Sequence, residues 1–128
     1  MPVPRIKDLE ALTEIYAALA DPTRLRILSL LRDGEICVCH IHGSLDVPQP
    51  TASRHLAYLR QAGLVEARRE GTWMHYRLAE LEPVIDAIVR SAAHAMSHVT
   101  GADRDRARFE RQCGKRLPVI SAPRASCC

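Results

Sequence analysis

The stretch GEICVCHIHG, residues 34–43, puts Cys37 and Cys39 one residue apart, with His40 and His42 just beyond. Thiolates and imidazoles are ligands for soft and borderline metal ions. The same residues also fit a thiol redox pair, or two small side chains that fill a core. The spacing restricts a metal site. Inside a regular helix, residues two apart point about 200° away from each other. Two sulfurs therefore reach one ion only if Cys37 precedes a helix and Cys39 sits in its first turn, or if that turn unwinds. A helix N-terminus and a neighbouring histidine favour the thiolate form.

The chain has 128 residues, a length for one domain with a modest core. One Trp and one Phe leave the core to aliphatic side chains. There are five cysteines, Cys37, Cys39, Cys113, Cys127 and Cys128, an odd number that argues against a full disulfide frame. The start, MPVPRIKDLEAL, lacks the apolar segment of a secretory signal, and no apolar run is long enough to cross a bilayer. The expected location is cytoplasmic, where thiols stay reduced and cysteines serve as ligands or sensors. A net charge of +3 permits an anionic partner without requiring one.

The surrounding periodicities predict the elements that position the cysteines. Leu9, Leu12, Ile15, Tyr16 and Leu19 recur at helical spacing. In ADPTRLRILSLLRDG, Asp21 suits an N-cap, Pro22 the first helical position and Gly34 the position past the end. Leu25, Ile27, Leu28, Leu30 and Leu31 give this second helix a broad apolar face. A short segment, ICVCHIHGSLDV, leads to PQPTASRHLAYLRQAGLV, where Pro48 and Pro50 suit a first turn and Ala52, Leu56, Leu59 and Leu64 make an apolar stripe. Val65 to Arg69 and Trp73 to Leu78 alternate as a hairpin about Glu70-Gly71. Pro83 opens a last long helix whose Val84, Ile85, Ile88, Val89, Ala92 and Met96 need cover on two sides, which points to a subunit contact. The expected organisation is a folded unit over residues 1–100 and a charged, cysteine-containing C-terminal tail over 101–128. Its first part can extend as helix and its end is mobile.

This order predicts a mainly α fold with a β-hairpin wing, a winged helix-turn-helix. The second helix of such a pair enters a major groove. Gln49, Thr51, Ser53 and Arg54 cluster at its N-terminal end, where base edges are met. Gln pairs with adenine and Arg with guanine in bidentate fashion. Arg68, Arg69, His75 and Arg77 on the hairpin suit phosphate or minor-groove contacts. The plainer reading makes the helix face merely solvated and the hairpin arginines edge-strand charges. His55, beside the apolar stripe, reads as a packed or bridging histidine rather than a base reader.

The blocks ALADPTRLRILSLL, ICVCHI, PTASRHLAYLRQAGLV and REGTWMHYRL, in that order over roughly residues 12 to 95, resemble the ArsR/SmtB family of metal-responsive repressors. The resemblance implies a homodimer joined by its first and last helices, an operator DNA duplex of twofold symmetry, and release when an inducer binds. It is similar to the arsenic-responsive branch, which carries Cys-Val-Cys here and takes As(III) or Sb(III) through thiolates, typically three. Cys37 and Cys39 match two of them. That branch has a third cysteine where this chain has His42, so the third ligand is left among His42, Cys113, Cys127 and Cys128. Relatives that read Cd or Pb add N-terminal cysteines, which are lacking here. Those that read Zn use Asp and His on the last helix, where Asp86, His94 and His98 do not reproduce the spacing. A repressor switched by thiol oxidation alone is a further alternative. No orienting acid, phosphate loop or Cys-x-x-Cys points to an enzyme, and no organic cofactor is expected.

Overall fold

The computed structural model describes residues 9–113. Helix α1 spans Leu9–Leu19 and α2 spans Pro22–Leu30. Asp21 caps α2 as its type predicts. Its backbone is extended, and its carboxylate accepts the Arg24 backbone N–H at 3.0 Å. The helix stops earlier than the apolar pattern suggests, because residues Leu31–Asp33 tighten into a 3₁₀ turn. Gly34 follows at φ 146° and ψ −176°, a conformation that only glycine adopts freely.

The next element is absent from the sequence reading. Ile36–Cys37 form a short strand, β1, which pairs antiparallel with the wing. Helix α3 (Val38–Leu45) and helix α4 (Gln49–Gln61) then make the helix-turn-helix, with Asp46 in the left-handed region at φ 58° between them. Strands β2 (Val65–Glu70) and β3 (Trp73–Leu78) form the expected hairpin. The sheet order is β1-β3-β2, so the wing has three strands rather than two. A two-residue strand leaves no alternation to detect. Helix α5 (Pro83–Ala95), a 3₁₀ turn and helix α6 (Asp103–Cys113) complete the described residues.

The core is aliphatic and lies where α2, α3, α4 and the inner face of the sheet meet. Ile27, Leu28, Ile41, Leu56 and Leu59 are fully buried there. Ile85, Val89 and Ala93 turn one side of α5 to this core. Its other side, with Ile88 and Ala92, lines an open apolar groove together with Tyr16 and Leu19 of α1. Among the described residues no helix is long and apolar enough to cross a membrane.

The expected unit boundary at residue 100 falls in the turn before α6. That helix packs back on α3, and Phe109, the chain's one phenylalanine, is 0% exposed in the core. Residues 114–128, the rest of the expected tail, lie outside the described residues. Phe109→Ala should lower the unfolding free energy by about 3–5 kcal/mol in a denaturant titration, as for a fully buried ring. A loss under about 1 kcal/mol would show that α6 does not belong to the core.

Candidate inducer site and DNA-reading face

Cys37 is the N-cap of α3, with extended backbone at φ −69° and ψ 145°, and Cys39 lies in the first turn. This is the arrangement that brings side chains two apart to the same side. The sulfurs are 3.5 Å from each other. Cys37 is buried and Cys39 half-buried. Among the described residues no group of three or more His, Cys, Asp or Glu side chains is gathered to hold a metal ion. These residues thus bring two sulfurs to one point.

The candidates for that third position are placed as follows. His42 Nδ1 lies 3.2 Å from the Val47 carbonyl, so the ring is turned to the end of α3 and its turn. Cys113, at the end of α6, has its sulfur 3.1 Å from His40 Nδ1. Burial pushes the His40 imidazole below its ordinary value of 6.5. A neutral imidazole is therefore what meets the Cys113 thiol at pH 7. Cys127 and Cys128 lie outside the described residues. At the end of α5 and in the 3₁₀ turn after it, the rings of His94 and His98 stand edge to face, 5.8 Å apart, with Arg32 3.3 Å from His94 Nδ1. Asp86 is ion-paired with Arg90.

Because Cys37 also belongs to β1, the cysteine pair is built into the wing sheet. Cys37 stands opposite His75 on β3, and His75 stands opposite Arg68 on β2. Partners in register share a face of a sheet, so these three lie in one row. Glu35, two residues before Cys37, accepts hydrogen bonds from Arg68 Nη2 at 2.6 Å and from Nε. Arg68 also reaches Glu70 at 3.1 Å. The Arg68 guanidinium holds the Glu35 carboxyl below its ordinary value of 4.5, against the opposing effect of burial.

The predicted DNA contacts divide on this geometry. Gln49 and Arg54 are exposed on α4, with Thr51 and Ser53 partly so, and Gln49 Nε2 donates to Ser53 Oγ at 3.3 Å. Arg69 is exposed on the wing, and Arg77 is exposed while paired to Glu66 at 2.6 Å. Arg68 uses Nε and Nη2 on Glu35 and Nη1 on Glu70. His75 does not reach the surface: it is 4% exposed, and its Nε2, 3.7 Å from the Glu70 carboxylate, has no hydrogen-bond partner among the described residues. The burial sets His75 apart from Arg69 and Arg77, which are exposed on the wing. Alternation along β3 places His75 on the same face as Arg77, and on β1 the buried Cys37 stands directly opposite it.

Sequence reasoning also missed what fixes α4. Arg24 donates to the Ala18 carbonyl at 2.8 Å, lies 3.2 Å from His55 Nδ1 and stacks 4.0 Å from the Tyr58 ring. His55 is thus the bridging histidine that its position beside the stripe suggested, here joining α4 to α2.

A buried three-helix scaffold, a helix pair with a polar outer face and a β wing define a winged helix-turn-helix DNA-binding protein. The profile of the arsR family of bacterial regulatory proteins matches residues 21–67. Over 85 residues the chain is 47% identical to an uncharacterized HTH-type transcriptional regulator, MJ1325, of Methanocaldococcus jannaschii, a match covering 62% of this chain and 96% of that one. It is 51% identical over 67 residues to the arsenical resistance operon repressor of Escherichia coli, covering 52% of this chain and 57% of the repressor. A solved homodimeric winged helix-turn-helix DNA-binding domain from Mycobacterium bovis superposes with a TM-score of 0.58 at 36% identity, over 72% of this chain and 87% of that one. The chain belongs to the arsR family of bacterial regulatory proteins: it is a DNA-binding transcriptional regulator and not an enzyme.

Glu35→Gln should cost about 1 kcal/mol of stability at pH 7, a charged bond discounted for the solvent exposure of Arg68. A depressed carboxyl pKa stabilises the fold above the unfolded value and ceases to do so as pH falls through the folded value. Unfolding titrations should therefore show the gap between variant and wild type narrowing below about pH 4.5 and closing in stronger acid. A gap that stayed constant to pH 2 would remove the ion pair from the account.

Proposed function

We propose that the chain is a homodimeric repressor that holds operator DNA through α4 and the wing and lets go when As(III) or Sb(III) binds the thiolates of Cys37 and Cys39. One observation carries this reading: the 3.5 Å between the two sulfurs at the start of α3. Two thiolates bound to one ion at about 2.3 Å, with an angle of about 100° between them, stand about 3.5 Å apart. Soft thiolates select soft ions, and the E. coli relative named for arsenical resistance supports the choice of metalloid. The third ligand comes from Cys113 or the C-terminal cysteines. His42, turned to Val47, serves this role less well.

The reading face is Gln49, Thr51, Ser53 and Arg54 for bases, with Arg69 and Arg77 of the wing for phosphates. Arg68 is better used in holding the wing to Glu35. A second copy covers the apolar groove between α1 and α5, which would set two reading helices on one twofold duplex. The M. bovis neighbour, described as homodimeric, supports this assembly.

Release follows from where the ligand sits. Closing a trigonal site pulls the N-cap of α3, and with it β1 and the wing on one side and the helix-turn-helix on the other. The inducer need only bind the non-reading conformation better; a coupling of about 1–3 kcal/mol weakens DNA binding roughly 5- to 150-fold.

Cys39→Ser should keep operator affinity in fluorescence anisotropy under strong reductant but lose its response to As(III). Wild-type release in the variant would refute the site, and release by peroxide but never by As(III) in the wild-type chain would instead support a thiol-redox switch. Arg54→Ala should weaken metalloid-free DNA binding about 10-fold or more, the range of a lost bidentate base contact. Unchanged affinity would show that α4 reads through another face.

A further inference from the structure

We propose that Asp105 on α6 is a positioning residue for DNA recognition: it holds two arginines on the last carbonyls of α3 and so sets the turn from which α4 departs. The proposal rests on α4 being the reading helix and is independent of what the inducer is.

The last carbonyls of a helix have no partner within it and stand at the negative end of its dipole. In α3 two of them, those of Ser44 and Leu45, are taken by guanidinium groups from other elements. Arg26 of α2 donates to the Leu45 carbonyl at 2.6 Å, and Arg108 of α6 donates to the Ser44 carbonyl at 2.7 Å. Both arginines are oriented by one carboxylate. Arg26 reaches Asp105 with Nε at 3.0 Å and Nη2 at 2.9 Å, and Arg108 reaches it at 3.2 Å. Asp105 is only 8% exposed, so water is a poor substitute for it.

These carbonyls end just before the turn. Asp46 follows at positive φ, Val47 bonds back to the His42 carbonyl at 3.1 Å, and Pro48 caps α4. Gln49 begins the reading face three residues after Asp46, too few for an error in the turn to be absorbed. The rest of α6 lies along α3 with no slack. Phe109 meets the His40 ring edge to face, the Cys113 sulfur meets its Nδ1, and Gln112 lies against Gly43. The start of α3 carries the cysteine pair and its end is held from α6. Movement at the start therefore works against a fixed far end and is passed to α4.

The test uses the full chain and a DNA duplex that the wild-type chain selects from a random-sequence pool. Affinity is measured by anisotropy well below the melting temperature, with folding checked by circular dichroism. Asp105→Asn should bind about 10-fold or more weakly, Asp105→Glu should recover part of the loss, and amide exchange in Asp105→Asn should quicken at residues 44–50 more than in α2 or α5. Arg108→Ala, which leaves the Arg26–Asp105 pair in place, should give a smaller loss in the same direction, and it carries the test if Asp105→Asn does not fold. Affinity within twofold of wild type in folded Asp105→Asn or Arg108→Ala would overturn the proposal, as would exchange that quickens uniformly. Arg54→Ala separates the two readings: if it loses affinity while the Asp105 variants do not, the positioning role alone fails. If it loses none, the assignment of α4 fails first.

Discussion

The structure turns on the backbone of Cys37. With extended dihedrals at the N-cap of α3, this residue ends a strand and begins a helix at once. Were it one turn inside the helix, its sulfur and that of Cys39 would face nearly opposite ways. As the cap, it brings them within 3.5 Å. The same residue stands in register with His75 in the wing sheet and begins the helix-turn-helix. On the function proposed above, a ligand that closes on these sulfurs acts on both the wing and the helix-turn-helix.

A lever needs rigid arms, and the fold supplies them by different means. On the wing side the arm is electrostatic, with Glu35 tied to Arg68 and Arg68 to Glu70 across the strands. On the core side it is packing, with Ile41 and Leu45 of α3 fully buried against α2 and α4. α6 adds cover along the remaining side of α3, where Phe109 is buried. Held on three sides, α3 has few soft directions left, and a displacement at its start is transmitted more than it is dissipated.

Much of this was legible in the sequence, for reasons that separate local from long-range physics. Asp21, Pro22, Pro48 and Pro83 mark helix starts through their own chemistry. The apolar stripe of α4 and the alternation of β2 and β3 reflect which faces are covered. Helix geometry showed what a shared ion would require of Cys37 and Cys39, a cap position for the first or an unwound turn, and left the choice open. What was not legible depends on partners far along the chain: Arg26 with Asp105, 79 residues apart, and Arg68 with Glu35, 33 apart. A charged segment such as DRDRARFERQC looks solvated until Asp105 and Phe109 are seen to be buried together. The burial of His75 was not legible either: β1, which pairs with its strand, is two residues long and leaves no alternation to detect.

Arsenic X-ray absorption on the full reduced chain loaded with one equivalent of As(III) tests the central claim most directly. A first shell made of sulfur, collapsing to oxygen ligands when Cys37 and Cys39 are both serine, is the predicted result. An unchanged sulfur shell in that double variant would place the ion elsewhere and contradict the account.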